Sequence, residues 1–201
     1  MKLTIFYLKY TSSSTPFPTY EVGNGKNNTD VSLPKTITLI EWVKMNKLEN
    51  LITWLKTKKI TIAAAESCSG GYLSYLLTKT PGSSKIFKGS VVVYSLETKN
   101  KFFKIPLPLL KKSEGVSSKI AALLAKGTRK LFKVDIGLSL VGFAGPEAMK
   151  GIKKGTIFFA VADKNGGVVK KAIISGNRDY VRKKASQMVI DLLYRSLNSK
   201  R

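Results

Sequence analysis

Histidine is absent from this 201-residue chain, and cysteine occurs once, at Cys68. The first absence removes the ordinary base of serine hydrolases and the commonest metal ligand. The two together exclude a disulfide framework, a Cys-only zinc site and the usual mixed Cys/His zinc sites. A lone cysteine fits a reducing compartment, so a cytoplasmic location is expected. Acidic residues are also few, 12 against 35 Lys and Arg, for a net charge of +23. Arginine is scarce among the cations, at positions 129, 178, 182, 195 and 201 only. That leaves little for bidentate reading of bases or phosphates. The lysines are spread without a block of five or six, which fits a solvated basic surface. Contact with nucleic acid is therefore expected to be weak, non-specific and salt-sensitive. No uncharged apolar run approaches the ~18 residues of a membrane span, so no membrane partner is expected. The start, MKLTIFYLKY, is broken by Lys9 and lacks a small-residue cleavage site, so it reads as a strand or tail rather than a signal peptide.

What is present is an alternation of short apolar runs. Residues 11–38 are rich in Ser, Thr, Pro, Gly and Asn without a period, and read as a loop or flexible arm. Residues 1–38 are thus expected to be an N-terminal extension, and residues 39–201 the main domain. Apolar residues at helical spacing run from Leu39 to about Lys59. ITIAAAES reads as a buried strand, SGGYLSYLLTKTPG as a helix stopped by Pro81-Gly82, and GSVVVYS as a strand. SSKIAALLAKGTRKLFKV is an amphipathic helix, IGLSLVGFAGP a strand entering a turn, and GTIFFAVADKNGGVVKKAIIS a hairpin. RDYVRKKASQMVIDLLYRSL is a closing helix. The order predicts a layered α/β/α domain, with a mixed, mostly parallel sheet.

Ligands in such sheets sit where strands end and helices begin. Three segments qualify. AAAESCSGG holds Glu66, Ser67, Ser69, Gly70 and Gly71, and is either an anion cradle or a tight turn with a capping serine. PGSSKIFKGSVVVYSLETK holds Gly82, Ser83, Ser84, Tyr94 and Lys99. Without histidine, a serine needs another base, and a lysine serves when burial lowers its pKa. The alternative there is a capping serine and a surface lysine. VGFAGP holds Gly142, Ala144 and Gly145, as a binding loop or a plain turn.

In this order AAAESCSGG, PGSSKIFKGSVVVYS, GFAGP, GTIFFAVA and SGNRDYVR resemble the C-terminal domain of the competence/damage-inducible CinA family. The resemblance covers about residues 40 to 197. It implies hydrolysis of the carboxamide of nicotinamide mononucleotide, giving nicotinate mononucleotide and ammonia, with no metal or organic cofactor. It also implies a homo-oligomer, dimer or higher, and a small-molecule nucleotide as partner. Carried over residue by residue, it makes Ser84 the nucleophile, Lys99 the base and Tyr94 a site tyrosine. Arg178 and the turn at Ser67–Gly71 would hold the phosphate, and the amides near Gly82 to Ser84 the oxyanion. Glu66 would orient these loops or serve as a plain charge at the helix end. The chain departs from the family pattern at Leu96 (for Asn), at Glu147-Ala148-Met149 (for Asp-Gly-Gly) and at Asn177 (for Asp). These departures keep open a second reading, a non-catalytic relative that binds nucleotides or associates with nucleic acid.

Overall fold

The computed structural model describes residues 6–11, 19–24, 39–149 and 151–198, with side chains from residue 47 to residue 197 apart from residue 150. Contacts divide the chain into two units, Met1–Trp54 and Leu55–Arg201. The first contains an antiparallel hairpin, β1 (Phe6–Thr11) with β2 (Thr19–Asn24). The expectation of a loop throughout residues 11–38 is corrected at β2, whose TYEVGN includes Thr19, Tyr20 and Val22, residue types that favour extended backbone. Residues 12–18 and 25–38 lie outside the described residues. Helix α1 (Leu39–Thr57) starts in the first unit and ends in the second.

The second unit holds a five-stranded sheet in the order β4-β3-β5-β6-β7. Its strands are β3 (Ile62–Glu66), β4 (Phe87–Val92), β5 (Ile136–Gly142), β6 (Thr156–Asp163) and β7 (Gly166–Ile173). β3 pairs parallel with both β4 and β5, while β6 runs antiparallel to β5 and to β7. Four of the five strands therefore point one way, as the mixed, mostly parallel sheet predicts. Helices α2 (Tyr72–Thr78) and α6 (Arg178–Asn198) pack together on one face. The other face carries α5 (Ser118–Leu131), flanked by α3 (Leu96–Phe103) and α4 (Leu107–Lys112).

Side-chain size explains the close layers. β3 is fully buried and is nearly all alanine between Ile62 and Glu66, so both helical layers approach it. Ala65 faces the α5 side, where it joins Ile120, Ala121, Leu124 and Ala125. A Cβ at Gly137 would stand 2.0 Å from the Ala125 carbonyl oxygen, so glycine lets α5 lie against β5. Ser139 donates from Oγ to the Ala121 carbonyl at 2.7 Å, satisfying a buried hydroxyl at the same contact. α3 and α4 are absent from the sequence reading. Both are short, and only the Ser95–Thr98 capping box announces α3.

Candidate active site

The carboxyl ends of the parallel strands build the site. Ser67 follows β3, Tyr94 lies two residues beyond β4, and Gly145 lies beyond β5. Arg178 opens α6 at the same end, because β6 leaves that end and β7 returns to it.

Glu66 fixes the first loop. Its carboxylate is fully buried and accepts from Ser69 Oγ at 2.7 Å, from the N–H groups of Gly71 and Leu73 at 3.0 Å, and from that of Ser74 at 2.9 Å. The Ser74 hydroxyl also donates to it. The carboxylate thus serves as the cap of α2, satisfying donors that a helix start leaves open. Gly70 and Gly71 have φ of +60° and +95°, so the chain turns sharply enough to fold back over Glu66. The cradle predicted for a phosphate at Ser67–Gly71 is therefore already filled by the protein's own carboxylate. Arg182 locks the same loop, donating from Nε and one terminal nitrogen to the Ser69 carbonyl at 3.1 and 2.8 Å. Sequence reasoning missed Arg182; its place one helical turn beyond Arg178 was the available signal.

Lys99 comes from the first turns of α3. It is 2% exposed, and its Nζ lies 3.2 Å from Ser67 Oγ and 3.5 Å from the Tyr94 carbonyl. Burial draws the lysine down to about 8, against the weaker opposing pull of Cys68 and Glu97. Burial also pushes the Cys68 thiol up to about 12, although Lys99 and Arg178 act in the other direction. Cys68 is thus a thiol at neutral pH and a poor nucleophile. Arg178 braces the outer rim: it donates to the Gly145 carbonyl, and to Tyr94 Oη at 2.6 Å.

The structure does not bring Ser84 to Lys99. Ser84 is exposed in a single 3₁₀ turn, Ser83–Lys85, that precedes β4. Ile62 lies opposite Phe87 and Glu66 opposite Val92, so the 3₁₀ turn and Ser67 stand at opposite ends of the sheet. At ~3.3 Å per residue, the extended run from Ile62 to Ser67 puts roughly 16 Å between those ends. Gly82 and Ser83 share that far end; Ser83 is buried, and Gly82 turns the chain at φ +82°. Gly142 ends β5, where a Cβ would meet the Thr156 carbonyl at 2.7 Å. Ala144 is buried beside Gly145.

The three departures have distinct places. Leu96 packs against the α5 core. Asn177 accepts from the Tyr180 N–H at 2.9 Å and so caps α6, a task an aspartate performs equally well. After the cis Gly145–Pro146 bond Glu147 is exposed, and Ala148 and Met149 are half-buried.

A family model of the CinA C-terminal domain matches residues 45–197. A putative competence-damage inducible protein of Geobacillus sp. (strain WCH70) is 36% identical over 147 residues, 73% of this chain and 35% of the relative. A CinA-like protein of Cytophaga hutchinsonii is 38% identical over 144 residues, 71% of this chain and 34% of the relative. The chain thus spans about a third of the length of these curated relatives. Among solved structures, a competence or damage-inducible protein from Enterobacter asburiae superposes with a TM-score of 0.73 at 26% identity, covering 77% of this chain and 98% of its own. The competence damage-inducible protein A from Klebsiella pneumoniae gives 0.75 at 24% identity, covering 79% and 99%, and shares the fold.

Proposed function

The chain belongs to the CinA C-terminal domain family, and from that premise we propose that it is an amidohydrolase of nicotinamide mononucleotide with Ser67 as nucleophile and Lys99 as base. One observation carries this reading: a buried lysine amine 3.2 Å from a serine hydroxyl, in a chain without histidine. The amine is held low enough that a usable fraction is neutral at physiological pH. The nucleophile moves from Ser84 to Ser67 because a base must lie within hydrogen-bond reach of the proton it takes.

The steps follow from that geometry. Neutral Lys99 takes the Ser67 proton as Oγ adds to the carboxamide carbon. The N–H groups of Cys68 and Ser69, directly after the nucleophile, are the donors for the oxyanion, in place of the amides near Gly82. Lys99 returns its proton to the departing nitrogen, the C–N bond breaks, and ammonia leaves. Water then attacks the acyl-serine. Lys99 takes a proton from that water and gives it back to Ser67 Oγ, freeing the nicotinate nucleotide. Tyr94 and Arg178 form the rim against which the nucleotide lies, with the Arg178 charge available to its phosphate.

The test is ammonia release from nicotinamide mononucleotide by wild type, Ser67→Ala and Ser84→Ala. Release by wild type and Ser84→Ala, but not by Ser67→Ala, is expected. Loss in Ser84→Ala alone would restore the other serine. Nucleotide binding without release by the wild type would favour a non-catalytic relative.

A further inference from the structure

The turn between α4 and α5 closes over the stem of the buried lysine. Gly115 is buried in this turn at φ +71°. Its N–H donates to the Leu110 carbonyl at 2.8 Å, and the Val116 N–H donates to the Ser113 carbonyl at 2.8 Å, so the turn is hydrogen-bonded on both sides of the glycine. A Cβ at Gly115 would stand 2.9 Å from Leu96 Cδ2 and 3.2 Å from both Cδ and Cε of Lys99. The bare backbone of Gly115 therefore lies against the last two methylenes before the amine.

We propose that Gly115 is a positioning residue for the Ser67–Lys99 pair: its backbone is the wall that holds the Lys99 stem and aims Nζ at Ser67 Oγ. The proposal rests on the reading that these two residues do the chemistry. Any side chain here has two costs. A positive φ strains every residue with a Cβ, and that Cβ enters space the lysine stem occupies. Leu96 completes the wall from α3.

The charged and titratable groups around Lys99 come from each packed element. Cys68, just beyond β3, and Glu97, on α3, act on the Lys99 charge, while Arg178 and Glu66 act on Cys68. Glu114, beside Gly115 on the turn, is exposed. Burial outweighs them and leaves the amine near 8. A turn pushed outward would let water reach the amine, and the lysine would titrate closer to its ordinary ~10.4.

The experiment follows Lys99 directly, by NMR titration of protein labelled with carbon-13 lysine, the Lys99 signal being assigned by its loss in Lys99→Met. In Gly115→Ala that signal should titrate higher by about one unit or more. The pH profile of kcat should move with it, lowering kcat near pH 7 about tenfold while KM holds. A merely structural glycine would change the melting temperature and leave the titration in place. If the wild type releases no ammonia yet the Lys99 signal still moves in Gly115→Ala, the catalytic reading fails and the positioning role stands. A folded Gly115→Ala whose Lys99 titrates as in wild type overturns the proposal. Should Gly115→Ala fail to fold, the double variant Leu96→Ala/Gly115→Ala removes the shortest contact and keeps those to Lys99. It should show the same upward movement; an unfolded double variant, or one titrating as wild type, also overturns the proposal.

Discussion

A lysine that serves as a base must be kept uncharged, and this has a cost that can be measured at a single residue. Lys99 is drawn to about 8 in the folded protein from 10.5. Between those values the unfolded chain binds a proton that the folded chain does not, so stability rises with pH across about 8 to 10.5. Below about 8 the lysine is charged in both states, and its burial costs on the order of 3 kcal/mol. Lys99→Met should therefore be inactive yet more stable than wild type at neutral pH, with the gain shrinking as pH rises through that window; urea titrations at pH 7 and pH 10 would read it. Turnover by the wild type should climb with pH to a plateau above about 8, as the amine becomes neutral. Lys99→Arg should not rescue turnover, because guanidinium stays protonated. The buried lysine of the proposed pair was legible in the sequence: the missing histidine pointed to a lysine, and the family resemblance to Lys99. Its partner was not, because Ser67 and Ser84 both follow apolar runs into small-residue turns. Only the parallel register of β3 and β4 decides which serine stands at the lysine's end.

At the scale of elements, α2 is a short helix held at its start by one buried carboxylate rather than by its own residues. Glu66→Ala would leave three amides and two hydroxyls near α2 without their acceptor. A loss on the order of 3 kcal/mol is expected, read as a lower urea midpoint with an unchanged slope. Glu66→Gln keeps an acceptor oxygen but adds an amide donor among donors, and should fall between Ala and wild type. The long or strongly patterned elements were readable: the alanine-rich β3, the hairpin around Asn165-Gly166-Gly167, and α5 with its buried Ile120, Ala121, Leu124 and Ala125. α3 and α4 were not, because six or eight residues carry too little periodicity to separate a helix from a connection. From the sequence the segment Ser67–Gly71 is either an anion cradle or a tight turn with a capping serine. What fills it is Glu66, the residue just before it, over which the chain folds back through the two positive-φ glycines.

For the whole molecule the dominant quantity is charge. A net +23 on 201 residues makes the compact state repel itself. Raising salt from about 0.01 M to about 0.15 M shortens the screening length from ~30 to ~8 Å. The melting temperature should rise over that range, by a similar amount in wild type and in Ser67→Ala; a flat response would show that the charges are already compensated locally. The proposed site gathers at one end of the sheet, and the β6–β7 hairpin turns at the other. Its tip is stiffened by the Asn165 N–H donating to Asp163 Oδ1 at 2.8 Å, and Lys164 and Asn165 are bare of core contacts. That tip is a natural seam. A fluorophore or a short epitope grafted between Lys164 and Asn165 would ride on the molecule away from the proposed site, and the protein could be tethered to a surface there with that site facing outward.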